Sequence, residues 1–95
     1  MFYENAVKFG IVEFEKRVEK FHVWIERSDS FVHPNGEVKP VTYSVWSSEF
    51  GATGPNMTSR DAAIAYAESL LQWSQDWDAG NTYYFDFTIG GRKQQ

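Results

Sequence analysis

Few residues in this chain have the type and spacing to do chemistry. His22 and Glu26 fall on one face of an alternating segment, a placement from which an acid–base pair can be built. The simpler reading is an exposed His and Glu on a half-solvated sheet. Glu13 and Glu15 also share a strand face. Paired carboxylates hydrolyse glycosides only across a cleft that holds their environments apart, and here the pattern reads as a solvated face. His33 stands beside Pro34 and reads as a turn residue. Two histidines without an acidic partner at ligand spacing do not make a zinc site. Gly51-Ala52-Thr53-Gly54 lacks the Lys-Ser/Thr ending of a phosphate loop. Asn56-Met57-Thr58 matches a glycosylation sequon, which has no meaning without a secretion signal. No serine occupies a nucleophile-elbow context. Neither an enzyme, a cofactor nor a metal is expected.

The totals point instead to a compact binding domain. Ninety-five residues fit one domain, expected over 1–89, with Gly90 to Gln95 as a frayed tail. The chain is 42% hydrophobic and 18% aromatic, so four Trp, five Tyr and eight Phe can supply a core with few rotatable bonds. There is no cysteine, which excludes disulfides and thiolate chemistry and suits a reducing compartment. The first residues lack the basic and apolar regions of a signal peptide, and no apolar run reaches membrane-spanning length. A cytoplasmic location follows, with no membrane contact. Net charge is −4, which argues against a surface that tracks phosphates.

The elements that would position any site are legible from periodicity. Thr58 and Asp61 have the form of a capping box, and the helical period runs from Ser59 to Trp77. Ile64, Ala67, Leu70 and Leu71 lie on its apolar half, together with Trp73 and Trp77. Phe21, Val23 and Ile25 alternate with His22, Trp24 and Glu26; Val41, Tyr43 and Val45 alternate with Thr42, Ser44 and Trp46. A last strand is expected from Thr82 to Ile89, with Tyr83, Phe85, Phe87 and Ile89 on its buried face. Gly51 to Asn56 reads as a breaker. Residues 1–20 match both a helix and a strand that changes face after Gly10; Gly10 and the β-branched residues favour the strand. The expected fold is α+β: a four-stranded antiparallel sheet in the order β-β-β-α-β, with one amphipathic helix on one face.

Pro34-Asn35-Gly36 marks a hairpin. A two-residue turn at Asn35-Gly36 sets Trp24 opposite Ser47, which puts the apolar face of one strand beside the polar face of the other. A one-residue bulge between Arg27 and Ser30 would restore the match.

Two surface features then stand out. Alternation sends Trp24, Trp46 and Tyr84 to the sheet face opposite the helix, where large exposed apolar groups mark a contact surface. The alternative is that Phe2, Tyr3 or Phe14 folds back over them as a second small core. Asp76-Trp77-Asp78 at the helix end is either an acidic-aromatic grip for a basic partner or a sign that the helix frays before Asp76. An aromatic sheet face also suits single-stranded nucleic acid, but the surrounding residues are acids and hydroxyls where Lys and Arg are needed.

In length, acidity, lack of cysteine and order of elements, the chain resembles small phage-encoded inhibitors of host systems, anti-CRISPR proteins among them. The resemblance lies in organisation, from the strands through the capped helix beginning Thr58-Ser59-Arg60-Asp61 to the final aromatic segment. It implies non-catalytic occlusion of a larger host complex in the host cytoplasm. The expectation is a protein-binding domain acting through Trp24, Trp46, Tyr84, Asp76, Trp77 and Asp78. A homodimer joined through the open sheet face is the alternative.

Overall fold

The computed structural model describes residues 2–92. Helix α1 (Tyr3–Lys8) leads into strands β1 (Val12–Val18) and β2 (Phe21–Ser28). A hairpin extension, β3 (Phe31–Val32) and β4 (Val38–Lys39), returns to β5 (Thr42–Ser47) and β6 (Gly51–Met57). Helix α2 (Arg60–Asp78) follows, then two short strands, β7 (Phe85–Asp86) and β8 (Gly91–Arg92). The fold is α+β, with a four-stranded antiparallel sheet ordered β1-β2-β5-β6 and α2 packed on one face.

The core forms where the apolar sides of α2 and the two central strands meet. Ile25, Val45 and Leu70 are its largest fully enclosed side chains, with Phe21, Val23, Ala67, Leu71 and Phe85 around them. This is the face that the alternation in β2 and β5 assigned to the helix. Ser59, one residue later than expected, caps α2 by accepting a hydrogen bond from the amide of Ala62 at 3.2 Å. The helix does not fray before Asp76. It runs to Asp78 and closes in a Schellman arrangement, with the amides of Gly80 and Asn81 donating to the carbonyls of Trp77 and Asp76.

The fourth strand of the sheet is not the C-terminal segment. Edge strand β6 covers Gly51 to Met57, the stretch expected to break structure. Its Gly and Pro do bar a central position, because Pro55 has no N–H for a ladder. At an edge the missing donor is tolerated, and the pairing slips by two residues between Tyr43 and Val45, where Gly54-Pro55-Asn56 bulges out. Beyond α2, Asp86 ends the expected strand: its carboxylate accepts the Thr88 amide at 2.9 Å and its carbonyl accepts the Gly90 amide at 2.8 Å. The chain turns there and β8 pairs with β7. Gly90 is buried, and Gly91 and Arg92 are paired, so the ordered domain extends past residue 89; 93–95 lie outside the described residues.

The hairpin corrects its register at the turn itself. A three-residue loop, Pro34-Asn35-Gly36, is closed by the His33 amide on the Glu37 carbonyl at 2.7 Å and the Gly36 amide on the His33 carbonyl at 2.9 Å. Gly36 supplies the positive φ of 88° that such a loop requires. Trp24 therefore faces Trp46, not Ser47, and the β2–β5 ladder carries no bulge near Arg27. The bulge lies at Glu13 in edge strand β1. Residues 2–20 divide between both readings, a short helix before Gly10 and a strand after it, and residue 1 lies outside the described residues.

Candidate functional site

The sheet face away from α2 is partly covered, by α1. Ala6 of α1 is fully buried, and the Tyr3 ring packs edge-on against His22 and Trp24, with centroids 4.5 and 5.5 Å apart. Trp24 stacks on Trp46 at 6.3 Å and is only 5% exposed. The second small core therefore exists, closed by Tyr3; Phe14 packs on the helix side instead. Trp46 is partly buried, and its indole donates to the Ser44 hydroxyl at 3.0 Å. Tyr84 does not join the two tryptophans: it lies outside the four-stranded sheet and is 73% exposed.

His22 and Glu26 share this face, but both are buried, against the expectation of an exposed pair. They are bonded to different partners. The His22 Nε2 atom lies 3.0 Å from Glu15 Oε2, and the Trp24 indole donates to Glu26 Oε2 at 2.9 Å. A buried carboxylate that keeps an indole donor avoids much of the cost of leaving water. Glu15 takes hydrogen bonds from Tyr3 and His22, which hold its carboxyl below the ordinary range. The Tyr3 hydroxyl is in turn pushed up, chiefly by its bond to Glu15. These contacts fasten α1 to the sheet. Glu13 and Glu15 have separate partners as well, Glu13 bridging Arg27 and Arg60 at the start of α2. Among the described residues no cluster of His, Asp and Glu is placed to hold a metal ion.

The exposed aromatic surface lies elsewhere, at the C-terminal end of α2. Trp73 and Trp77, one turn apart, have ring centroids separated by 5.5 Å. Phe50, from the β5–β6 turn, packs on Trp73 at 5.7 Å and on Phe87 at 6.1 Å, while Phe87 reaches Trp73 at 5.9 Å. Trp77 is 51% exposed, Phe50 45% and Phe87 41%. Phe50, Trp73 and Trp77 border a groove of about 370 Å³ that is also lined by Lys20, Glu49 and Asp78. Asp78 accepts from Lys20 at 2.9 Å, which raises the lysine pKa and offsets the acid's unfavourable place at a helix C-terminus.

Asp76 does not point to a partner. Its two carboxylate oxygens accept from Gln72 and from the Tyr83 hydroxyl, each at 3.0 Å. It pins the segment after α2, as does Trp73, whose indole donates to the Tyr83 carbonyl at 2.8 Å. Of the six expected contact residues, Trp77 and Asp78 border the exposed groove, Trp24 and Trp46 belong to the covered face, and Tyr84 and Asp76 belong to neither. Phe50 and Phe87 went unrecognised as contact residues. One sits in a turn, and the other was assigned to a strand interior. The signal that pointed to this end of the helix is the Trp73–Trp77 pair, which the helical spacing places side by side.

No family model matches this chain, and neither the curated proteins nor the solved structures contain a match.

Proposed function

We propose that this chain is a non-catalytic protein-binding domain whose contact surface centres on Trp77, Phe50 and Phe87. The observation that carries the reading is a cluster of four rings beside a groove, in which Phe50, Phe87 and Trp77 all pack on Trp73 and are each more than two-fifths exposed. Contiguous exposed aromatic area is unusual on a solitary domain, and Trp is the residue most enriched at interface hot spots. Glu49 and the Asp78–Lys20 ion pair line the same groove, so the complementary partner is a protein segment with an apolar anchor and a basic residue facing Glu49. The same acids oppose a nucleic-acid strand.

The narrower form of the proposal is an inhibitor that occludes a larger host complex in the cytoplasm. It is supported by the resemblance to phage-encoded inhibitors in length, acidity and lack of cysteine. Self-association is the competing reading. It loses its basis at Trp24, which is covered within the monomer. Light scattering on the wild-type chain and on Trp77→Ala, with quantitative capture from cell extract by both, tests the proposal. The expected result is a monomer that captures a partner only when Trp77 is present. A wild-type dimer dissolved by Trp77→Ala would assign the patch to self-association; capture unchanged in a folded Trp77→Ala would exclude it as a binding surface.

A further inference from the structure

We propose that the cleft between α1 and the sheet binds a small planar aromatic anion, at a site that shares only Lys20 with the groove beside Trp77. The cleft has a volume of about 630 Å³, within the range of small-molecule sites. Phe2, Tyr3, Trp24 and Trp46 supply aromatic lining, and Arg17 and Lys20 supply positive charge. Planar rings pack favourably on aromatic walls, and a guanidinium takes a carboxylate through two parallel N–H donors.

The two cations differ. Lys20 is held by Asp78 at 2.9 Å. Arg17 makes no ion pair among the described residues, although it neighbours His22 across the β1–β2 ladder. His22 is bonded to Glu15, which leaves Glu4 as the acid that lines the cleft. An uncommitted guanidinium in a cleft lined by two indoles selects a flat acid over a neutral or cationic molecule of the same shape.

The four tryptophans give four indole N–H signals, two in the cleft and two at the other patch, so ¹H–¹⁵N spectroscopy reports where a probe binds. The probes are 2-naphthoate and its neutral counterpart 2-naphthalenemethanol, titrated into the wild-type chain and into Arg17→Gln, whose unliganded spectrum checks the fold. Naphthoate should move the Trp24 and Trp46 signals and leave those of Trp73 and Trp77 in place. Its affinity should fall by roughly fivefold in Arg17→Gln, the effect of one partly exposed charge pair. The alcohol should bind wild type as weakly as naphthoate binds the variant, and should be indifferent to the substitution. Movement confined to Trp73 and Trp77 would overturn the proposal, as would naphthoate binding equally to both chains, or no saturable shift at all. None of these outcomes bears on the Trp77 interface, which is read by protein capture.

Discussion

The ring of Tyr66 occupies the space in which a side chain at Gly90 would begin. Gly90 approaches the root of the ring and Gly54 approaches its hydroxyl end, both with positive φ, while the hydroxyl donates to the Phe87 carbonyl at 2.7 Å. One buried helix residue thereby fixes edge strand β6 and the turn between β7 and β8, and with that turn it fixes Phe87 beside Trp73.

Gly90→Ala should therefore destabilise the domain by about 2–5 kcal/mol. Roughly 1–2 kcal/mol comes from an L-residue at positive φ, and about 1–3 kcal/mol from overpacking against the ring. Gly80→Ala is the comparison, because Gly80 also has positive φ but nothing within contact distance of its missing Cβ. It should cost only the backbone part. Urea unfolding of both variants measures the difference; equal losses would show that the Tyr66 contact is soft.

Leu70 and Trp77 share one helix and should respond in opposite ways. Leu70 is fully enclosed, so Leu70→Ala should cost about 2–5 kcal/mol. Trp77→Ala should change stability by less than about 1 kcal/mol, since half of the side chain already meets water. Its effect should appear in partner capture. Thermal melts of the pair check this, and a Trp77→Ala loss as large as that of Leu70→Ala would make the patch a structural core.

Trp24→Ala should cost about 3–5 kcal/mol, because the ring is buried between Tyr3 and Trp46. The double change Trp24→Ala with Trp46→Ala should unfold the domain and cannot serve as a probe of binding alone. Trp24→Phe isolates the polar part: it keeps a ring but removes the donor to the buried Glu26 carboxylate, at a cost of about 1–3 kcal/mol. Chemical denaturation followed by circular dichroism separates these values.

Docking of α1 should depend on pH from both sides. The Glu15 carboxyl is lowered by Tyr3 and then by His22, so its contribution is complete above the ordinary carboxylate value of about 4.3 and is lost as pH falls through its lower folded value. The Tyr3 hydroxyl is raised, chiefly by Glu15, so its contribution is complete below about pH 10 and is lost as pH rises through its higher folded value. Amide protection factors across Tyr3–Lys8, corrected for the intrinsic pH dependence of exchange, should be largest between these limits. Glu15→Gln should flatten the acid side; an unchanged acid limb in that variant would place the titrating group elsewhere.

Local patterns were legible wherever one physical demand acted alone. The helical period from Ser59 to Trp77 answers only to burial of one face, and α2 spans nearly that range. The alternation in β2 and β5 assigned Val23, Ile25 and Val45 to the core for the same reason. Turn chemistry was harder to read. Pro34-Asn35-Gly36 announced a hairpin, but only closure by His33 and Glu37 set its length, and a change of one residue in length moves every facing pair. The β1–β2 turn carries Glu19 at a positive φ of 55°, with no Asn or Gly to mark it.

The sequence by itself determined that this is an α+β domain, which helix covers which strand faces, and that aromatic residues exceed what one core can hold. Tertiary structure alone decided which aromatics are spent and which are left over. Trp24 and Trp77 carry the same side chain, yet Tyr3 folds across one while no described element covers the other. The same holds for the sheet edge. Gly51 to Met57 has poor strand character, and it pairs because β5 offers a free ladder and Tyr66 needs a glycine beside it. Periodicity records the demands of one face of one element. Coverage depends on residues distant in the chain, and that arrangement is settled only when the whole domain packs.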